Sequence, residues 1–167
     1  MYFKSFPAVN YSLDGGKTTF SMTDIFRRVR VFDENLLTST FYDDYDILDG
    51  ETPEIVADKF YNESYYHWVI LLTNEIIDPR FDWPLSNPDL RTFIRRKYDI
   101  ENVDETKHYI NDDGDVVHSS YAGTKYPISY FQYEEEINEA KRRISVIKPQ
   151  FLPTFVNSFT GSINGQR

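Results

Sequence analysis

Apolar residues recur at helical spacing directly after a turn signal at Gly50-Glu51-Thr52. Pro53 suits the first position of a helix, Thr52 suits its N-terminal cap, and Ile55, Val56 and Phe60 are predicted to face inward. A second helix is predicted up to about Asn74, from the spacing of Tyr65, Trp68, Val69 and Leu72. The segment from Ser39 to Leu48, just before the turn, is expected to be a strand. The order in this part of the chain is therefore strand, helix, helix.

The second half of the chain alternates further helix and strand signals. Asn87-Pro88 repeats the cap-and-proline pattern and predicts a third helix to about Tyr98. Residues 107–110 and 116–118 flank Asn-Asp-Asp-Gly-Asp, which indicates a β-hairpin, and residues 126–133 are expected to add a strand. A further helix is predicted over 134–147, because its acidic residues lie near the N-terminus and its basic residues toward the C-terminus.

Both ends of the chain are expected to be appendages to this body. Residues 1–22 are predicted to be extended around a polar turn at 13–16, and Thr23 to cap a short helix through Ile25 and Phe26. Near the other end, a short helix is predicted from the apolar residues Phe151, Leu152, Phe155, Val156 and Phe159. Such a helix is marginal alone, so its apolar face is expected to dock either on this chain or on another one.

Composition narrows the classes of function. With 167 residues and 40% hydrophobic side chains, the chain can bury one main core. A formal charge of −9 argues against nucleic acid as the main partner, since phosphate binding depends on cations. There is no cysteine, which fits a reducing compartment, and the sequence shows no signal peptide or membrane span. Aromatic residues make up 17% of the chain, which favours contact surfaces as well as core.

Motifs for catalysis and metal binding are weak. Gly15-Gly16-Lys17-Thr18 resembles the end of a phosphate-binding loop, but Tyr11 stands where that loop needs glycine. The acidic run 43–50 has Tyr45 and Ile47 where an EF-hand needs oxygen ligands. The three histidines are dispersed, and no nucleophile motif is present. We therefore expect no metal, no cofactor and no enzyme, although paired carboxylates for glycoside hydrolysis stay open.

The stretch 45–61 resembles the LysM module, a small carbohydrate-binding fold. The matching residues are Tyr45, Ile47, Gly50-Glu51-Thr52, Ile55 and Ala57, with Phe60-Tyr61 and the exit 71–79 following. At the position where LysM modules usually close with a second strand, this chain has Trp83-Pro84-Leu85-Ser86. The resemblance implies a residual glycan site at Gly50, Thr52, Asn74 and Ile77.

The wider chain resembles the LysM-containing baseplate wedge proteins of contractile-tailed bacteriophages. The resemblance is carried by MTDIFRR (22–28), YYHWVILLTNEIIDP (65–79) and EAKRRISVIKPQFLPTFVNSF (139–159). It implies a structural protein without catalysis that joins neighbouring wedge subunits in several copies, within the tail baseplate of a virion made in the host cytoplasm. Its partners would be other wedge and tail proteins, not nucleic acid or membrane. Partner-binding residues are expected at Phe3, Phe6, Ile25, Phe26, Phe151, Leu152, Phe155 and Phe159.

With the resemblance included, the predicted fold class is α+β, and five segments are expected. They are an N-terminal arm with a short helix (1–38), a LysM-like strand-helix-helix core (39–86), a helix with a β-hairpin insertion (87–133), a C-terminal helical segment (134–160) and a flexible tail (161–167). Three hypotheses follow for function. A structural baseplate subunit is preferred, a peptidoglycan or N-acetylglucosamine-binding module is the alternative, and a lytic enzyme ranks last.

Overall fold

The structure is a computed structural model, and it describes residues 6–25 and 39–163. Helices and strands are mixed along the chain, which confirms the α+β class. The strands are β1 (Ala8–Tyr11), β2 (Phe20–Thr23), β3 (Tyr42–Asp46), β4 (Thr106–Ile110), β5 (Val116–Val117), β6 (Tyr126–Ser129) and β7 (Arg143–Ile147). The α-helices are α1 (Pro53–Tyr61), α2 (His67–Thr73), α3 (Pro79–Asp82), α4 (Asn87–Tyr98), α5 (Tyr130–Glu139) and α6 (Leu152–Ile163). Short 3-10 helices occupy Ser39–Phe41, Ser64–Tyr66 and Pro149–Phe151.

Internal contacts divide the chain into two compact units. Unit 1 comprises Met1–Asp44, Pro53–Asn74 and Ser145–Arg167, and unit 2 comprises Tyr45–Thr52 and Glu75–Ile144. Unit 1 is thus built from segments on both sides of unit 2 in the sequence. The predicted division into five segments stays a prediction.

The core of unit 1 is made by α2, α6 and the end of β7. Trp68 and Val69 on α2 share one buried cluster with side chains from the C-terminal part of the chain. The other buried members are Phe6, Ile147, Leu152, Phe155, Phe159 and Ile163. Helix α6 presents its apolar residues at three- and four-residue spacing, so a single stripe of the helix lies in this core.

Strands β3 and β7 pair in a two-stranded sheet. In unit 1, the backbone N–H of Lys148 donates to the carbonyl of Phe41 at 2.9 Å. In unit 2, the N–H of Ile47 donates to the carbonyl of Arg142, also at 2.9 Å. Position 41 thus pairs with 148 and position 47 with 142, which makes the two strands antiparallel.

Unit 2 contains α3, α4, α5 and a three-stranded antiparallel sheet in the order β5-β4-β6. Leu90 and Ile94 on α4 pack with Val103 to form its buried centre. Trp83, at the end of α3, is buried, and its indole N–H donates to the carbonyl of Glu51 at 2.7 Å. The Trp83-Pro84 segment is therefore a packed connection and not a strand.

The predicted helix over 134–147 is wrong at both ends. The helix begins at Tyr130, because the Ser129 hydroxyl accepts from the Gln132 N–H and the Gln132 side chain accepts from the Ser129 N–H. It ends at Glu139, and residues 143–147 form β7 instead. The sequence Arg-Ile-Ser-Val-Ile alternates and is rich in β-branched residues, which suits a strand. The strand expected over 126–133 ends at Ser129, because this residue caps α5.

Three smaller expectations also change. Ile55 is exposed, because α1 turns Pro53, Val56 and Ala57 inward. Residues 161–163 are helical and Ile163 is fully buried, so the start of the expected flexible tail belongs to α6. Thr23 lies at the end of β2, and residues 26–38, which include the rest of the predicted short helix, lie outside the described residues.

Candidate interaction surfaces

Four of the residues predicted to bind partners lie in the core of unit 1. Phe6, Leu152, Phe155 and Phe159 are all buried. The Trp68 ring packs against those of Phe155 and Phe159, at centroid distances of 6.3 and 4.6 Å. Of the two alternatives left open for the apolar face of α6, docking on this chain is the one that the structure shows. Partner binding by these four side chains stays a prediction, and it would require them to leave the core.

The other predicted contact residues have different positions. The Phe151 ring lies half-buried, with its centroid 4.3 Å from that of Phe41. Ile25 is exposed at the surface. Phe3 and Phe26 lie outside the described residues.

The predicted glycan residues are divided between the two units. Gly50 and Thr52 lie in the turn before α1, and both are exposed. Ile77 is exposed in the connection after α2, and all three residues belong to unit 2. Gly50 has a positive φ of 78°, which explains the need for glycine at this turn. Asn74 belongs to unit 1, where both hydrogens of its amide are used within the fold.

The β1–β2 hairpin carries an uncovered apolar face. Its register pairs Val9 with Met22 and Tyr11 with Phe20, so these four side chains lie on one side of the two strands. Their exposed fractions, in the order Val9, Met22, Tyr11 and Phe20, are 42%, 53%, 52% and 51%. The opposite side carries the Ala8–Thr23 and Asn10–Ser21 pairs. We call the apolar side, defined by Val9, Tyr11, Phe20 and Met22, the hairpin face.

The turn of this hairpin is held by its own polar groups. The Asp14 carboxylate accepts from the Thr18 hydroxyl at 2.6 Å and from the Thr18 N–H at 2.7 Å, and the Ser12 hydroxyl also donates to it. The hydrogen bonds from Thr18, followed by that from Ser12, lower the pKa of Asp14 to about 2. Asp14 is therefore ionised at neutral pH, and the loop that the Gly-Gly-Lys-Thr sequence forms is an ordered turn.

A groove in unit 2 is the second candidate surface. It has a volume of about 420 Å³ and lies between α4 and α5, with α3 and the following segment at its edge. Its apolar lining consists of Phe81, Leu85, Leu90, Phe93 and Ile137. We call this cavity the α4–α5 groove.

Helix α5 shapes the groove through side chains near its C-terminal end. The Asn138 amide accepts from the Leu85 N–H at 2.8 Å and donates to the Leu85 carbonyl at 3.0 Å. Just beyond the helix, the Lys141 ammonium donates to the Phe81 carbonyl at 2.7 Å. These bonds hold the segment after α3 against α5, and they fix one wall of the groove.

A buried carboxylate fixes the other wall. Glu134 on α5 accepts from the Lys97 ammonium at 2.8 Å and from the Tyr98 hydroxyl at 2.5 Å, both on α4. Burial alone would raise the pKa of Glu134, but the hydrogen bonds from Lys97 and Tyr98 keep it below its ordinary value. Glu134 is thus a charged tie between the two helices.

Two kinds of feature, a metal cluster and a membrane-spanning helix, are absent from the part of the chain that the structure describes. Among the described residues no group of three or more histidine, cysteine, aspartate or glutamate side chains is arranged to hold a metal ion. Over the same residues no helix has both the length and the apolar character that crossing a bilayer requires. The hairpin face offers exposed apolar area, and the α4–α5 groove adds charged and hydrogen-bonding side chains.

Comparison with known proteins identifies the class. The model of a phage baseplate family, described as base plate wedge protein 53, matches residues 1–120. The chain is also 25% identical over 182 aligned positions to "Baseplate wedge protein gp53" of Enterobacteria phage T4, an alignment that covers 94% of this chain and 93% of that protein. A structural protein of a phage tail baseplate is the class that these matches define. The chain belongs to the base plate wedge protein 53 family.

The predicted resemblance to baseplate wedge proteins is confirmed at the level of the family. Neither description names a LysM module or a glycan, so the LysM-like core stays a prediction and glycan binding gains no support. The signal for the hairpin face was present in the sequence, because apolar and polar residues alternate in Ala8–Tyr11 and in Phe20–Thr23. The α4–α5 groove had no comparable signal, since separate segments form it.

Proposed function

We propose that this chain joins neighbouring subunits of a phage tail baseplate wedge through protein–protein contacts, and that the hairpin face is one of its contact surfaces. The main support for this proposal is the solvent-exposed apolar face formed by the Val9–Met22 and Tyr11–Phe20 pairs. A two-stranded hairpin is at best marginally stable in water, and a contiguous apolar patch at a surface is typical of an interaction site. A partner that covers this face would stabilise the hairpin and bury aromatic area.

The family membership supports this assignment, because its members are named for the baseplate wedge. Ile25, two residues after the end of β2, is a further exposed apolar side chain. The formal charge of −9 favours solubility of the free chain before it meets its partners.

We further propose that the LysM-like core serves as a scaffold in which β7 is the closing strand. The strand-helix-helix order is present in β3, α1 and α2, and β3 pairs with β7. Residues 75–144 would then be an insertion between the second helix and the closing strand. Asn74 supports a scaffold role over sugar binding, because its amide bonds to the backbone of Ser145 in β7.

The hairpin face offers a test with a matched control on the same strands. Tyr11→Ser with Phe20→Ser removes the aromatic pair next to the turn, whereas Asn10→Ser with Ser21→Ala changes the pair on the opposite side. Each variant is supplied to the parent phage in place of its own copy of the chain. The amount of the chain in purified tails is then measured by mass spectrometry, and the folding of the free protein by circular dichroism.

We expect the apolar-face variant to fold with an unfolding midpoint near that of the parent chain. Its amount in purified tails should fall by at least about tenfold, which corresponds to a loss of roughly 1.4 kcal/mol of association free energy. The control variant should be incorporated normally. Normal incorporation of the apolar-face variant would show that this surface is not a contact in the baseplate.

A further inference from the structure

The α4–α5 groove carries a local excess of positive charge on a chain whose formal charge is −9. Two carboxylates, Asp89 and Glu134, are part of its lining. Four cations line it as well, namely Arg80, Arg96, Lys97 and Lys141. A surface whose charge opposes that of the whole chain indicates a specific electrostatic partner.

Ion pairing within the chain leaves Arg96 and Lys141 as the cations of the groove and Asp89 as a carboxylate that offsets one of them. Lys97 is paired with Glu134 at 2.8 Å, and Arg80 lies 2.8 Å from the Asp78 carboxylate. Lys141 donates to a backbone carbonyl, and Arg96 is exposed on α4. Within residues 6–25 and 39–163, neither Arg96 nor Lys141 forms an ion pair with a carboxylate. Their charges are therefore available to a ligand.

The apolar part of the groove is open to solvent. Phe81 is 64% exposed and Ile137 is 41% exposed, although both are large hydrophobic residues. The volume of about 420 Å³ lies in the range of binding pockets, roughly 300–1,000 Å³. The walls are held by the bonds of Asn138, Lys141 and Glu134 described above, so binding requires little ordering of the groove.

We propose that the α4–α5 groove binds an acidic amphipathic segment of another baseplate protein. Its apolar side chains would cover Phe81 and Ile137, and its carboxylates would face Arg96 and Lys141. Recognition of an amphipathic segment in an apolar groove is a common mode of peptide binding. The inference rests on the proposed role of the chain as a joining subunit, to which it adds a second surface and the chemistry of its partner.

Charge distinguishes this occupant from other ligands. A nucleic acid would place its phosphates beside the carboxylates of the groove, although phosphate binding depends on several cations. It would also leave the apolar side chains of Phe81 and Ile137 uncovered. A second copy of this chain would bring two molecules of formal charge −9 together, which is electrostatically unfavourable. An acidic segment with apolar side chains matches both the charge and the apolar wall.

Site-specific photocrosslinking in assembled tails tests the proposal and identifies the partner in the same experiment. The full chain is produced with p-benzoylphenylalanine at position 137, or at position 81 as a second groove site, and incorporated into phage tails. Position 116 on the β4–β5 hairpin of the same unit is the exposed control, and position 11 reports on the hairpin face. After irradiation of purified tails, the crosslinked peptides are sequenced by mass spectrometry.

We expect positions 137 and 81 to crosslink to one segment of another protein in which Asp and Glu outnumber Lys and Arg and apolar residues recur. Arg96→Glu should lower this yield by about tenfold or more, because a like charge would face the segment. Arg95→Glu is the matched control, since Arg95 lies on the same helix but does not line the groove.

The outcomes separate the groove from the proposed function. Crosslinks at position 11 without any at positions 137 and 81 would refute partner binding in the α4–α5 groove. They would leave the proposed joining role of the chain intact. Crosslinking of the groove to a basic or neutral segment, to nucleic acid or to a second copy would also overturn the inference. Absence of crosslinks at all of these positions in tails that contain the chain would count against both proposals.

Discussion

The side-chain amide of Asn74 makes three hydrogen bonds that tie the end of α2 to β7. The Nδ2 group donates to the carbonyls of Ile70 and Ser145 at 2.8 and 2.9 Å, and Oδ1 accepts from the Ser145 N–H at 2.8 Å. The LysM resemblance predicts that Asn74 contributes to a glycan site. Its bonding instead predicts that its loss is felt as a loss of stability.

The size of the effect follows from these bonds. A typical hydrogen bond contributes about 1 kcal/mol net, so Asn74→Ala should lower the free energy of unfolding by about 3 kcal/mol. For a chain of this length that corresponds to a decrease in the unfolding midpoint of roughly 6–12 °C. Asn74→Asp should cost more than alanine at neutral pH, because a carboxylate oxygen would replace the donor that faces two carbonyls.

Urea denaturation followed by circular dichroism measures the difference. Asn157→Ala is the matched control, since Asn157 is exposed on α6 in the same unit, and it should change stability by less than about 0.5 kcal/mol. Lowering the pH should reduce the gap between Asn74→Asp and Asn74→Ala, because protonation returns a donor to the aspartate. An Asn74→Ala variant as stable as the parent chain would refute the bonding role assigned to this amide.

Two further predictions concern the buried groups of each unit. Phe159→Ala should destabilise unit 1 by about 3–5 kcal/mol, because its ring is fully buried against Trp68, and urea denaturation checks this against the exposed control Thr154→Ala. A loss below about 1 kcal/mol would contradict the packing of α6. Glu134→Gln should lower the free energy of unfolding. The decrease should be constant above about pH 5, because a glutamate in the unfolded chain has a pKa of about 4.3 and is ionised there. Because the folded pKa lies lower, the unfolded state takes up protons first, so the difference between parent and variant should shrink as the pH falls further. An equal difference at pH 3 and pH 7 would contradict the charged tie to Lys97.

Local signals in the sequence predicted the elements that depend on local chemistry. Pro53 and Pro88 lie in the first turns of α1 and α4, as the cap-and-proline pattern predicts. The cap of α4 is Ser86, one residue before the predicted Asn87, because the Ser86 hydroxyl accepts from the Asp89 N–H. The Asn-Asp-Asp-Gly-Asp stretch forms the turn between β4 and β5, in which Asn111 accepts from the N–H groups of Asp113 and Asp115. In each case a few adjacent residues determine the backbone conformation.

Features that depend on distant partners were not predicted. The boundary between α5 and β7 was misplaced, because β7 is a strand through its pairing with β3, about a hundred residues earlier. Asn74 and Asn138 make backbone pairs with residues 71 and 53 positions away, and no sequence pattern marks such contacts. Likewise the apolar stripe of α6 was visible, but only the fold shows that Trp68 covers it.

The division of unit 1 into separated segments has a consequence for biosynthesis. The core around Trp68 is completed by Phe155 and Phe159, which a ribosome adds only once the whole of unit 2 has been made. Contacts of such long sequence separation form slowly, because a large loop must close first. The apolar side of α2 therefore stays uncovered during about half of translation, from residue 73 to residue 155 of 167. A prematurely terminated product that lacks α6 would be a natural substrate for chaperones and proteases.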